Sequence, residues 1–261
     1  MSAYSGLKPS ISANSTKSSA TPAALVVDRS ATILECFGRP KSWMSLQEVA
    51  DAAQLSKPTA FRLLSALSAE QLIIQDDATG EYGLGPAVTR FAESVLRKMP
   101  VWRATQGAMQ HLRDRINETV LLSVRRGANW YNVEALPAAH SLSLAQPMGV
   151  PLPLHVGAPG ISFLTGMTEV ERAQYLNEPG FDTGSRCAIT SSIGAAERQG
   201  YAISVGDILP DCIAMAAHIV IGPTKNTGVL QVSFPKARDS ETLRAVVREE
   251  LRLACDAVMS A

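Results

Sequence analysis

Two helix-start signals stand eleven residues apart in this chain, at Ser45 and Ser56, and they restrict the fold of the N-terminal third more than any other feature. In Ser45-Leu46-Gln47-Glu48 the serine hydroxyl suits the N–H three residues on, and the glutamate reaches back to the serine N–H, a reciprocal cap. It opens a helix over roughly 46–53 with Leu46, Val49 and Ala50 as its buried stripe. Gln54-Leu55 leaves room only for a tight turn. Ser56 then caps a helix over 57–69, with Pro58 in the first turn, where a missing N–H costs nothing. Ala60, Leu63, Leu64 and Leu67 face inward on it.

A preceding helix runs from Leu25, with Leu25, Ile33, Leu34 and Phe37 at helical spacing, and stops at Gly38-Arg39-Pro40. After the pair, Leu72-Ile73-Ile74, an Asp76–Gly80 turn and Tyr82 read as a small β-hairpin. Three short helices and a hairpin are the plan of a winged helix-turn-helix, whose second paired helix presents its N-terminal residues to the major groove of DNA. The positions on 57–69 not needed for a core are Lys57, Thr59, Phe61, Arg62 and Ser65. Arg62 suits a bidentate guanine or phosphate contact, Lys57 a phosphate, and Thr59 a phosphate or a thymine methyl. The plain alternative is a solvated helix face.

Charge limits what such a helix can do alone. The 24 Lys+Arg cancel the 24 Asp+Glu, which excludes a polybasic binder, so any contact with nucleic acid comes from a local patch presented more than once. Residues 56–69 hold two cations and no acid. Residues 1–22, with seven serines, two lysines and no acid, lack the apolar content to fold and are expected to form a disordered tail, with a weak option as a DNA-touching arm.

From Pro86 a helix to about Lys98 carries Val88, Phe91 and Val95 on one face, and a long helix to about Asn117 follows Pro100, with Ala104, Ala108, Leu112 and Ile116 spaced by four. The period then changes to two. Thr119–Arg125 and Trp130–Ala135 predict strands around an Arg126–Asn129 turn. The stretch 146–160 reads as irregular loop, and Thr168-x-x-Glu171 caps a short helix. Tyr201–Val205, Ile213–Ile221 and Val229–Phe234 predict further strands, and 239–258 a closing amphipathic helix. Helices and strands without βαβ alternation predict an α+β domain on an antiparallel sheet. With 46% hydrophobic residues the chain buries a real core.

The motifs agree with one another. Ser45–Ala50, Leu55-Ser56-Lys57-Pro58-Thr59-Ala60-Phe61-Arg62-Leu63-Leu64 and Tyr82-Gly83-Leu84-Gly85 resemble the DNA-binding half of the IclR family of bacterial transcriptional regulators. Pro153-Leu154-His155 before Gly157–Gly160 resembles that family's PLH…G loop. Gly200-Tyr201-Ala202, Asp207 and Ala214–Ala217 resemble the stretch ahead of its effector-pocket strands. The resemblance spans about 24–258. Asp207 stands where the family usually has Glu, His218 where Pro or Cys is common, and Ile161 where Lys is frequent.

The resemblance implies a winged helix-turn-helix over 23–84 and a linker helix over 85–99. A GAF-like α+β effector-binding domain with an antiparallel sheet occupies 100–261. It implies DNA contacts from Ser45, Gln47, Ser56, Lys57, Pro58, Thr59, Phe61, Arg62 and Ser65. It places effector contacts at Leu144, Leu152, Ala158, Pro159, Ser204, Cys212, Ala214, Gln231 and Ser233, to which Met148, Asp207 and His218 are added as lining. That set holds few hydrogen-bonding groups and no cation, so it suits a small, weakly polar molecule such as an aromatic or short organic acid. Partners are then operator DNA, a small effector and further copies of the chain, as dimer or tetramer. The genes controlled would serve catabolism.

Other chemistry is weakly signalled. No GxSxG, HExxH, Walker or GxGxxG sequence occurs, so no enzyme and no cofactor is expected. His155, Asp207, Cys212 and His218 have no strong metal-ligand spacing. The alternative is a small hydrolase with Ser233 or Cys212 beside His218 and an appended helical module; another is a protein-interaction module built on the winged helix. Four scattered cysteines and no apolar run of membrane length place the chain in a reducing cytoplasm.

Overall fold

The computed structural model describes residues 21–38, 42–140, 148–222 and 226–260. They fall into two compact units, one ending at Lys98 and the other beginning at Met99. The expected tail at 1–22 lies almost wholly outside the described residues.

In the first unit, α1 (Pro22–Cys36), α2 (Leu46–Ala52) and α3 (Lys57–Ala69) precede a two-stranded antiparallel sheet of β1 (Ile73–Gln75) and β2 (Tyr82–Leu84), and α4 (Ala87–Arg97) follows. The capping box at Ser45 forms in full: Ser45 Oγ accepts from the Glu48 N–H at 3.3 Å, and the Glu48 carboxylate accepts from the Ser45 N–H at 2.9 Å. Ile33, Phe37, Val49, Leu64, Leu67, Ile73 and Tyr82 close one core. Leu63 is only half-buried at its margin, and Leu25 is exposed in the first turn of α1, which starts earlier than expected, at Pro22.

The second unit is a six-stranded antiparallel sheet in the order β5-β4-β3-β8-β7-β6. Its strands are β3 (Thr119–Arg126), β4 (Asn129–Leu136), β5 (Leu152–Pro153), β6 (Ala202–Val205), β7 (Cys212–Ile221) and β8 (Asn226–Pro235). Helix α5 (Pro100–Ile116) and the closing α9 (Glu241–Met259) pack on one face. There Val101, Met109, Leu112, Met215, Val232, Val247 and Leu251 form the larger core. The buried stripe of α5 is Val101, Thr105, Met109, Leu112 and Ile116, one residue round from the expected Ala104 and Ala108, which are half-buried at its edge.

The opposite face carries α6 (Gly157–Thr165), α7 (Glu169–Leu176) and α8 (Thr183–Gln199), around Trp130, Leu154, Phe163, Tyr175, Ile193 and Val229. Two of these elements depart from expectation. The stretch 146–160 is not all loop: it contains β5 and the first turn of α6. Helix α6 is buried from Gly157 to Leu164, and a helix apolar on every side shows no 3.6-residue stripe to read. Helix α8 is absent from the sequence reading. Its glycines and serines dilute the pattern, although Asp182 caps it by accepting from the Ser185 N–H at 2.6 Å and Gly200 ends it at φ 81°.

Candidate functional site

The exposed face of α3 is the first candidate surface. Lys57, Pro58, Phe61, Arg62 and Ser65 are exposed and Thr59 is half-buried. Neither Lys57 nor Arg62 has a hydrogen-bond or ion-pair partner among the described residues, so both cations are free for an external one. Phe61 is 51% exposed beside them, an aromatic that the core does not use. Ser56 occupies the N-cap position without capping: its hydroxyl pairs with that of Thr59 at 2.8 Å. Gln47 is exposed, and its amide donates to Asp51 at 2.9 Å. Ser45 is half-buried and spends its hydroxyl on Glu48, which makes it a cap before anything else.

The hairpin tip has the opposite charge. The Asp76 carboxylate accepts from the N–H groups of Ala78 and Thr79 and from the Thr79 hydroxyl, and the Thr79 bonds hold it below the usual carboxylate range. Asp77 beside it is exposed. Of these two surfaces, only α3 offers an anion a free positive charge.

The second surface lies inside the C-terminal unit, on the sheet face that carries α6. Ser204, Asp207, Cys212, Ala214 and Gln231 line one small cavity with Ile208 and Leu209, enclosing about 10 Å³. Register explains the grouping: Ser204 pairs with Ala214, and Ala214 with Ser233, across β6, β7 and β8. Gln231 and Ser233 share that face, while Val232 between them enters the core under α9. Gln231 donates to Asn132 Oδ1 at 3.0 Å, and the Ser123 hydroxyl does so at 2.9 Å. Ser233 is 1% exposed, and its hydroxyl has no hydrogen-bond partner among the described residues. Ala158, at the first turn of α6, donates its N–H to Ser204 Oγ at 3.0 Å. Pro159 is buried in the same turn.

Ala158, Pro159 and Ser233 are buried beside this cavity without lining it, and the rest of the predicted lining separates. Leu144 lies outside the described residues. Leu152 is core on the edge strand, and Met148 is 44% exposed beside β4. His218 belongs elsewhere: it lines a larger cavity of about 290 Å³ with Ser162, Thr165, Glu197 and Tyr201. Cys212 lies six residues from His218 on one strand, about 20 Å at the usual rise, and Ser233 pairs with Ala214, four residues or about 13 Å from it, so neither nucleophile of the hydrolase reading sits beside His218. Burial and then the charge of Arg125 push the His218 imidazole down to about 4. His155 contacts the Tyr175 hydroxyl at 2.8 Å and stacks edge-on against Phe181, far from any role as a ligand. Among the described residues no three His, Cys, Asp or Glu side chains converge as a metal site.

Sequence reasoning missed three polar participants: Asn132, Ser123 and Ser162. Each sits alone in an apolar run, and only strand pairing brings the first two to Gln231.

The two halves match known families. Residues 26–77 match the IclR helix-turn-helix domain, and residues 93–260 match the bacterial transcriptional regulator IclR C-terminal domain. The chain belongs to the IclR family of transcriptional regulators. The repressor AllR of Salmonella typhi is 23% identical over 226 residues, 84% of this chain and 82% of that protein. The regulator KipR of Bacillus subtilis is 23% identical over 232 residues, 87% and 92%. Two IclR-family crystal structures share the fold. That from Alicyclobacillus acidocaldarius has a TM-score of 0.72 at 20% identity, covering 90% of this chain and 98% of that one. A homologue from Microbacterium hydrocarbonoxydans, complexed with 4-hydroxybenzoate, has 0.70 at 20% and the same coverage. Members of this IclR family carry a DNA-binding helix-turn-helix, and none of the helices described here is long and apolar enough to cross a membrane.

Proposed function

We propose that this IclR-family regulator reads operator DNA through α3 and answers to a small, weakly polar ligand. The ligand is a neutral or singly charged aromatic or a short keto acid, held between the first turn of α6 and strands β6 to β8. The observation that carries this reading is the Ser233 hydroxyl, buried and without a partner beside Gln231 and Ala214. Such a group costs about 1–3 kcal/mol unless something satisfies it, and an incoming ligand would. The 4-hydroxybenzoate complex of the Microbacterium homologue supports the ligand class. No Lys or Arg lines the pocket, so a multiply charged acid finds no counter-ion there.

A cavity of about 10 Å³ admits the ligand only if its walls move apart. That movement is the source of differential affinity, and the ligand shifts the arrangement of the sensor domains by binding one better. Two free cations per α3 make few phosphate contacts, so specific binding needs two or more copies of the chain, as dimer or tetramer. Phe91 and Val95, 62% and 54% exposed on α4, offer that contact. The genes controlled would be those degrading the ligand, in the cytoplasm.

Calorimetry of the full chain against 4-hydroxybenzoate, benzoate, pyruvate and citrate tests the reading, with Ser233→Ala in parallel. A monocarboxylate should bind, and Ser233→Ala should weaken it by about ten-fold, ~1.4 kcal/mol. Tightest binding by citrate, or wild-type affinity in Ser233→Ala, overturns the pocket.

A further inference from the structure

The larger cavity shares no lining residue with the proposed effector pocket, and its chemistry is of the opposite kind. It lies at the other end of α6. Ser162 and Thr165 on α6, Glu197 on α8, Tyr201 just ahead of β6 and His218 on β7 supply its polar walls. At about 290 Å³ it is close to the lower size of small-molecule sites, ~300 Å³.

Its polar groups are mostly acceptors, the Tyr201 hydroxyl and the one N–H of the neutral His218 ring being the donors. The Ser162 hydroxyl donates to the Ala216 carbonyl at 2.9 Å, and that of Thr165 to the Ser162 carbonyl at 2.8 Å. Both hydroxyl protons are thus spent on backbone, which leaves oxygen lone pairs. Helices α6 and α8 both end at this cavity, at Thr165 and Gln199, so the negative ends of two helix dipoles meet there. The Glu197 carboxylate holds Arg172 through Oε1 at 2.5 Å, and Oε2 has no partner among the described residues. The His218 ring has no hydrogen-bond partner among them either, packs edge-on to Phe163, and leaves no room for a Cβ at Gly166. Burial and Arg125 keep it neutral near pH 7, with one nitrogen lone pair to offer. The two nearby cations are each offset, Arg172 by Glu197 and Arg125 by Glu171 at 3.9 Å.

We infer that this cavity is a second ligand site, for a small organic cation with N–H donors such as a primary ammonium or an amidinium. Glu197, whose Oε1 is held by Arg172, offers Oε2 as a charged acceptor, while Ser162, Thr165 and His218 accept further N–H groups. An anion meets no uncompensated positive charge here, and an apolar molecule would strip water from five polar side chains without replacing their hydrogen bonds.

The test is a titration of the full chain labelled at histidine, followed by NMR at near-neutral pH. The chain has four histidines, and His218→Asn assigns the reporting signal. Ethylammonium and guanidinium should each shift the His218 signal saturably, tetramethylammonium and acetate should not, and Ser233→Ala should leave the response unchanged. Glu197→Gln and Thr165→Val should each weaken it by about ten-fold. Glu197 is exposed, so its variant leaves the core intact while removing the charge that also pairs with Arg172. The inference is overturned by the absence of saturation with both N–H cations up to about 50 mM. A response to acetate equal to that of ethylammonium, or wild-type affinity in both variants, overturns it as well.

Discussion

The backbone N–H of Ala158 donates to the hydroxyl of Ser204 at 3.0 Å, joining the first turn of α6 to strand β6 across 46 residues of chain. This bond ties the helix that opens the pocket to a strand that lines it. Ser204→Ala would leave a buried N–H unsatisfied, at a cost of about 1–3 kcal/mol. Chemical denaturation should show that loss, with the unfolding slope unchanged. An unaltered midpoint would mean that water replaces the hydroxyl.

Arg62 is exposed on α3 with no partner to lose, so Arg62→Ala should leave stability within about 0.5 kcal/mol. Specific operator affinity should fall by about 1–3 kcal/mol per recognition helix. Fluorescence anisotropy on specific and scrambled DNA at matched salt checks this. Equal affinity of both proteins for the operator would remove Arg62 from the interface.

Phe91 and Val95 are the large exposed apolar residues of α4, and Glu93–Arg97 forms an ion pair on the same helix. If that stripe joins two copies, Phe91→Asp should yield a lower mass in light scattering. Retention of the wild-type mass at equal concentration places the interface elsewhere.

His218 gives stability a pH dependence of known sign. Its folded value is down at about 4 against a usual 6.5, so the unfolded chain binds a proton in this range that the native one refuses. The stability it preserves is fully present above 6.5 and is lost as pH falls toward 4, at most about 3 kcal/mol. Thermal melts from pH 7 to 4.5 should decline, and the decline should be shallower in His218→Asn. Parallel profiles for the two proteins would assign the slope to other groups.

The DNA-reading unit is almost wholly legible in the order of its residues. Ser45 with Glu48, Pro58 in the first turn of α3, and the Asp76–Gly80 turn act within a few residues of themselves, so local hydrogen bonding and backbone sterics suffice to place them. Even there, the exposure of Leu25 and the pairing of Ser56 with Thr59 depend on what packs nearby. The sensor unit is legible only in its amphipathic parts, such as the stripe of α9 and the strands β3 and β8. Helix α6 is not, because a segment buried on every side has no periodic signature.

The order of elements in the first unit, the family and the exposed face of α3 all follow from the residue string, because they rest on contacts between near neighbours. Which polar groups meet is settled only by packing in three dimensions. Ser204, Ala214 and Ser233 are brought side by side by strand pairing, whereas His218, on the same strand face as Ala214, is carried to the far end of α6 and a different cavity. The physical reason is the strand rise: four residues along β7 put about 13 Å between groups that composition alone would have placed in one pocket.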